Sequence, residues 1–369
     1  MNKRVILAVT NDLSGDQRIH KVALSLTDLG YEPVLVGRLL PSSIKLARNY
    51  KYKRFHLLFI RGPLFYINFN IRLFIYLLFV RRAAVFLAND LDTLLAVFLA
   101  GKIRRKRVVY DSHEYFTEVP ELVGRPEIKR IWEFIERKIF PHLSSVYTVN
   151  NSIADIYLKK YRVPVGVVRN VPNVNRPLPV TGNLPVGFTD RPIIIYQGAL
   201  NIGRGLEQMI RAMVLIPDCH LLIAGDGDIR GFLEELVQKL DLGSRIYFTG
   251  RVPFEQLSWF TSQATLGISL EQDMGLNYHY ALPNKLFDYL HAGLPVIASD
   301  LPEIRQVVED ADFGMIIDRF DPEYLSSTIL SILADKRQLE LWRNNALEAA
   351  PGYTWENEQK SLLTYFPIV

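Results

Sequence analysis

Ala281-Leu282-Pro283-Asn284-Lys285-Leu286-Phe287-Asp288-Tyr289-Leu290-His291-Ala292-Gly293-Leu294-Pro295-Val296-Ile297-Ala298-Ser299 is a helix set between a loop and a strand. The loop enters the helix near Pro283, and Gly293 stops it. Proline at the entrance and glycine at the exit are ordinary helix punctuation: one lacks a donor where none is used, the other tolerates the left-handed turn. The strand over 295–298 is apolar without alternation. Such a strand is buried on both faces, as in a parallel sheet covered by helices.

The same unit recurs outward in both directions. Towards the N-terminus, strands are expected over 266–270, 245–249, 220–224 and 193–196, with helices near 254–263, 229–240 and 205–216. Later helices cover 322–334, 337–349 and 355–365. In the first half, strands are expected over 5–9, 34–36, 84–87, 108–110 and 145–149, with helices over 16–30 and 91–101. Between the two blocks, residues 163–192 hold Pro164, Pro172, Pro177, Pro179, Pro185 and Pro192. That density forbids a long helix or a central strand, so this window is the linker. The expected fold is α/β: two Rossmann-like, doubly wound parallel-sheet domains facing a central cleft. The expected domains are 1–175 and 185–352, with a terminal helix at 353–369 crossing back to the first. A length of 369 residues suits two domains.

Composition narrows the function. Hydrophobic residues make up 49% and charged residues 22%, so the chain is globular. A formal charge of +4 fits phosphorylated ligands or an anionic membrane surface equally well. Cys219 is the single cysteine, which excludes an intrachain disulfide framework and cysteine-cluster metal sites and points to the reducing cytosol. The opening apolar run is too short for a secretory signal. The apolar region 64–80 is interrupted by Asn68, Asn70 and Arg72, so it is not expected to span a membrane. The basic clusters at 48–54 and 102–107, beside that region, suggest peripheral contact with an anionic membrane. No nucleic-acid-binding motif is present.

Four segments carry chemistry. In the first, the N-terminus of the helix at 284 offers unpaired N–H groups and a partial positive charge, an anion site bounded by Pro283, Asn284 and Leu286. Lys285 in the first turn opposes the helix dipole, which an anionic ligand would explain. Asp288 one turn on can accept from a ribose diol. In the second, Gly198, Gly203 and Gly205 bracket Arg204 after a strand, a loop able to approach and clamp phosphate oxygens. Gly225, Asp226 and Gly227 close another strand, as a ligand loop or as a tight turn capped by Asp228. In the third, Asp111, His113 and Glu114 follow a buried strand; a metal reading lacks a second ligand cluster. In the fourth, Asp12, Asp16 and Arg18 follow the first strand, where Asp16 serves equally well as a helix N-cap. Asp90 and Asp92 after a further strand read as capping residues.

At these residues the chain resembles family 4 of the glycosyltransferases, which has the two-domain GT-B fold. The resemblance implies a retaining, metal-independent hexosyltransferase. It would move a sugar from a nucleotide-diphosphate donor, a UDP- or GDP-sugar, to a glycan or lipid-linked acceptor in cell-surface polysaccharide synthesis. It implies a cytoplasmic enzyme without a cofactor. Of the family's paired glutamates eight residues apart, the second falls on Asp288 and the first on Tyr280. Its arginine after the loop glycine is replaced by Ala199, and Arg204 takes the position of its lysine. Its histidine near the donor sugar falls on His113. The expected catalytic set is His113, Arg204 and Lys285. Alternatives are a nucleotide-sugar epimerase of the same fold and a catalytically inactive nucleotide-binding scaffold. A nicotinamide enzyme is disfavoured because the first strand lacks the G-x-G-x-x-G turn.

Overall fold

The computed structural model describes residues 4–122, 124–174 and 180–366. Pro177 and Pro179 of the proline-rich window lie outside them. The chain divides into two compact units, Met1–Asn170 with Trp355–Val369, and Val171–Thr354.

Among the described residues the first unit holds seven strands: β1 (Arg4–Ala8), β2 (Glu32–Arg38), β3 (Lys51–Phe55), β4 (Ala83–Asn89), β5 (Arg107–Ser112), β6 (Val146–Thr148) and β7 (Gly166–Val167). Its helices are α1 (Gln17–Asp28), α2 (Gly62–Phe79), α3 (Leu91–Arg104), α4 (Pro126–Ile139) and α5 (Asn151–Tyr161). The strands lie in the order β3-β2-β1-β4-β5-β6-β7, every pair parallel. Sequence order therefore reverses between β1 and β4. Val5, Leu7, Leu35, Val85, Leu87 and Val109 are buried along these strands.

The second unit holds β8 (Ile193–Gln197), β9 (His220–Ala224), β10 (Ile246–Gly250), β11 (Leu266–Ser269), β12 (Val296–Ser299) and β13 (Gly314–Ile317). Its helices are α6 (Leu206–Ala212), α7 (Arg230–Lys239), α8 (Phe254–Ser262), α9 (Leu276–His279), α10 (Asn284–His291), α11 (Pro302–Asp310), α12 (Pro322–Ala334) and α13 (Lys336–Ala349). The order is β10-β9-β8-β11-β12-β13, again all parallel, with the reversal between β8 and β11. In doubly wound sheets the loops on either side of such a reversal diverge, leaving a crevice beyond the carboxyl ends of the strands.

The last helix, α14 (Trp355–Leu363), completes the first unit. Trp355 donates its indole N–H to Ser25 Oγ at 2.9 Å, and Trp355, Leu362 and Phe366 join the first unit's core. Glu358 accepts from the backbone and side chain of Arg169 at 2.9 and 2.7 Å.

Several regions depart from or add to the sequence reading: β7 falls inside the window read as the linker, α4 and α5 were not anticipated, and two more bear on function. The basic run at 48–54 overlaps edge strand β3, where charged side chains also discourage edge-to-edge pairing. The apolar region forms one 18-residue helix, α2, with a mean hydropathy of 1.3; by length and composition it is apolar enough to cross a membrane, despite Asn68, Asn70 and Arg72. Only Phe65, Phe69, Leu73 and Leu77 of it are buried.

Candidate functional site

In the second unit the crevice between β8 and β11 gathers three charged side chains. Glu271, just beyond β11, is fully buried. Its Oε2 accepts from Ser269 Oγ at 2.6 Å, and its Oε1 accepts from Lys285 Nζ at 2.7 Å. Arg204 Nη1 lies 3.5 Å from the same Oε1. Lys285 is placed by the first turn of α10, with its ammonium 4.0 Å above the Tyr196 ring. The Arg204 guanidinium lies 5.1 Å from the Tyr278 ring centroid, and its Nε is buried without a hydrogen-bond partner. Burial pushes the Lys285 ammonium down, and Arg204 adds to that; Glu271 opposes both. Burial pushes the Glu271 carboxyl up, but Lys285 and then Arg204 outweigh it and hold the group below its usual range. Two cations thus share one carboxylate, leaving a surplus positive charge in a low-dielectric crevice.

The glycines divide between shaping the loops and opening them. Gly225 has φ 153°, and a Cβ there would stand 1.8 Å from the carbonyl oxygen of Gly198; one at Gly227 would stand 2.5 Å from that of Leu200. The loops after β8 and β9 therefore lie backbone against backbone, joined by Gly198 N–H to Ala224 and Leu200 N–H to Asp226. This accounts for Gly225 and Gly227 structurally. Asp226 accepts from Gly227 N–H at 3.0 Å, and the N-cap of α7 is Ile229, with no side-chain capping bond, so Asp228 does not cap it. Gly205 packs on Leu270, and Gly203 on Met274 and Tyr278, so both hold the Arg204 loop against the end of β11.

Along α10, Pro283 is the N-cap and Asn284 the first helical residue, exposed. Leu286 packs into the core, and its N–H points back to the Pro283 carbonyl. Its side chain is therefore unavailable to a ligand, a correction to the expected set. Asp288 accepts from Gln197 Nε2 at 2.9 Å, and Gln197 Oε1 accepts from Thr261 at 2.7 Å, a chain fixing the carboxylate at the carboxyl end of β8. Tyr280 caps the short α9 and sits edge-on to His279.

In the first unit the crevice between β1 and β4 holds a different set. Arg18 forks onto Asp111, Nη2 to Oδ1 at 2.8 Å and Nε to Oδ2 at 3.1 Å, and both are buried. His113 Nε2 lies 3.2 Å from Asp111 Oδ2, and its Nδ1 3.3 Å from Asp90 Oδ2. The backbone N–H of His113 donates to Asp90 Oδ1 at 2.8 Å. Burial pushes the imidazole down, but Asp90 and Asp111 outweigh it and raise it to about 9. Burial pushes Asp111 up; Arg18, and then His113, bring it down to about 2. Burial pushes Asp92 up to about 7. Thr10 Oγ1 donates to Asp92 Oδ2 at 2.6 Å, bridging the β1 and β4 loops across the reversal.

Asp90 and Asp92 are thus misread as caps. Asp90 stands at the cap position of α3 with φ 60° but makes no capping bond; its carboxylate turns to His113. The strained backbone is the price of that orientation. Asp16 does cap α1, accepting from Ile19 N–H at 3.0 Å, and also accepts from Asn11 at 2.8 Å. Asp12 accepts from Ser14 and Ser43 and organises its own loop. Glu114 is partly exposed beside His113, and its carbonyl accepts from Ser112 Oγ. The structure brings Arg18, Asp111 and His113 together and leaves Asp12 and Asp16 outside that contact set. Sequence reasoning missed Glu271 and Asp90; the one signal was an acidic residue just beyond an apolar strand.

Residues 186–349 match the family model described as glycosyl transferases group 1. The chain is 26% identical over 166 residues to the alpha-D-kanosaminyltransferase of Streptomyces kanamyceticus, covering 43% of this chain and 41% of that one. It is 26% identical over 165 residues to the GDP-mannose-dependent alpha-(1-6)-phosphatidylinositol monomannoside mannosyltransferase of Mycolicibacterium smegmatis, covering 41% of each. These matches span less than half the length of the curated relatives. Among solved structures, the sucrose-phosphate synthase of Thermosynechococcus elongatus superposes with a TM-score of 0.78 at 19% identity, covering 99% of this chain and 98% of that one. Anabaena HepE, solved with UDP-glucose, superposes with a TM-score of 0.72 at 14% identity, covering 98% of each. Residues 186–349 of the second unit thus carry the glycosyl transferases group 1 match, within a chain whose two parallel-sheet α/β domains have the GT-B fold.

Proposed function

We propose that this chain is a glycosyltransferase that binds the diphosphate of a nucleotide sugar in the second unit and transfers the sugar to a glycan or lipid-linked acceptor. The observation that carries the reading is the Lys285–Glu271–Arg204 cluster at the β8/β11 reversal, inside the span matched by the family model. A diphosphate gains negative charge as the bond to the sugar breaks. Lys285 and Arg204, preorganised on Glu271, meet that charge without reorganising, the role a divalent metal fills elsewhere. The reaction on this reading needs no added metal. Asp288, held by Gln197, takes the ribose diol. HepE, named as a complex with UDP-glucose, supports a sugar nucleotide as donor.

The first unit supplies the sugar and acceptor side. His113, held between Asp90 and Asp111, positions the sugar. The leaving phosphate takes the acceptor proton, and transfer proceeds with retention. The mannosyltransferase and kanosaminyltransferase names support sugar transfer; cell-surface polysaccharide synthesis in the cytosol is the setting we propose for it.

The test is thermal denaturation of the full chain with UDP-, GDP-, ADP- and TDP-sugars, beside Glu271→Gln. One donor should raise the midpoint, since a ligand at one hundred times its Kd stabilises by about 2.7 kcal/mol. The shift should shrink in the variant. Stabilisation by none of the donors, or an equal shift in Glu271→Gln, refutes the assignment.

A further inference from the structure

We propose that the outward face of α2 is a docking surface for an anionic lipid bilayer, on which the helix lies flat. A helix on the surface of a water-soluble domain normally pairs an apolar stripe inside with a polar one outside. This helix is apolar on both sides. Phe65, Phe69, Leu73 and Leu77 form the buried stripe. On the opposite side, Leu64, Ile67, Ile71, Ile75 and Phe79 follow helical spacing, and each is at least half exposed. Exposed Leu58, Phe59 and Ile60 continue the apolar surface at the amino end. Five large apolar side chains in one row leave an unpartnered strip about 22 Å long, taking about 1.5 Å per residue.

Charge identifies the occupant. Residues 33–89 contain ten lysines and arginines and no aspartate or glutamate, whereas the chain as a whole is only +4. The rest of the chain is therefore net acidic, and the cations are concentrated around this helix. Exposed Arg61 stands at its amino end, exposed Arg72 on its flank, and exposed Arg81 and Arg82 just past its carboxyl end. Lys53 reaches the helix from β3, 4.7 Å from the Tyr76 ring. Beside it is an open hollow of about 500 Å³ lined by Arg4, Tyr50, Lys51, Tyr52, Lys53 and Tyr76, with dimensions and charge suited to a phosphate headgroup. Arg4 also donates to the Arg81 carbonyl at 3.0 Å, which sets this hollow at the carboxyl end of the helix. Aliphatic side chains flanked by long cationic ones match an interfacial helix: the apolar groups enter the acyl boundary, and the cations meet lipid phosphates. A second copy of the same surface would place like charges face to face.

Anchoring to the domain decides between lying on the bilayer and crossing it. Asn70 donates to the Asp92 carbonyl at 2.7 Å, and Arg104 of α3 donates to the carbonyls of Leu77 and Val80, both at 2.7 Å. Phe55 packs edge-on against Phe69 and Tyr76. Crossing would strip these contacts from the first unit.

The experiment is flotation of the full chain with vesicles of phosphatidylcholine alone and of phosphatidylcholine mixed with phosphatidylglycerol, at low and high salt. Binding is expected to the mixed vesicles only and to weaken as salt rises. Ile71→Glu with Ile75→Glu should abolish it, and Arg81→Gln with Arg82→Gln should weaken it by about fivefold per charge removed. Far-UV circular dichroism melts check that the variants fold. In an otherwise native chain, Phe79→Trp should shift its emission to the blue on adding mixed vesicles. No binding by the native chain, equal binding to neutral vesicles, an unshifted emission from the Phe79→Trp variant, or dimerisation through this face in sedimentation equilibrium would each overturn the proposal. Donor binding is read separately by the thermal shifts above, so either inference can fail without the other.

Discussion

The two crevices occupy equivalent places in two similar sheets and carry opposite electrostatics. At the β8/β11 reversal, one carboxylate, Glu271, serves two cations, Lys285 and Arg204. At the β1/β4 reversal, three carboxylates, Asp90, Asp92 and Asp111, surround Arg18 and His113. The parallel sheet supplies only a place where loops diverge. The residues immediately past each strand decide whether that place gathers cations or sets an imidazole among carboxylates. Buried ions survive in both because each is paired; an unpaired one would cost far more than the pair contributes.

The comparison is broken most forcefully by the same operation in both units. Glu271→Ala strands two cations, one of them deeply buried, and Arg18→Ala deprives the fully buried Asp111 of its bidentate partner. Each is expected to cost about 3–5 kcal/mol, read as a loss in urea denaturation of the full chain. A loss near zero in either would mean that its crevice is wetter than the buried pair implies. Next in size is Arg204→Ala, whose side chain is 25% exposed and whose pair with Glu271 is long. Its turnover with the donor identified by thermal shift should fall by about 10²–10³-fold while the melting midpoint barely moves. A native rate would remove Arg204 from the diphosphate site.

The smallest effect separates the crevices by pH. His113 is raised to about 9, from an ordinary value of about 6.5. A group raised on folding stabilises most below its unfolded value, and that stabilisation disappears as pH rises through the folded one. The melting-point gap between the native chain and His113→Gln should therefore be full below about pH 6.5 and close as pH climbs through about 9. A gap that stays constant across this range would dissociate the imidazole from Asp90 and Asp111.

The sheets were legible because buried parallel strands are apolar throughout and punctuated by glycine and proline. The strands at 193–197 and 220–224 fall within a residue or so of their reading. Edge strand β3 was hidden because Lys51, Lys53 and Arg54 present the pattern of a solvated run, and an edge strand needs little apolar surface. In the site, Arg204 and Lys285 were legible because a cation in a glycine loop or a first helical turn is locally odd. Glu271 was not, since an acidic residue after a strand looks like any loop residue until its partners, 14 and 67 residues away, are known. Asp90 was misassigned for a related reason: its position predicts a cap, and only the backbone at φ 60° sends its carboxylate to His113 instead.

The return of α14 has a consequence for biosynthesis. The first unit lacks Trp355, Leu362 and Phe366, three members of its core, until the whole second unit has been made. During translation the second unit has all its strands before its predecessor is complete, so the nascent first unit must wait with Ser25 and Arg169 unsealed. A premature stop just ahead of Trp355 would spare every residue of the second unit and injure the one synthesised first.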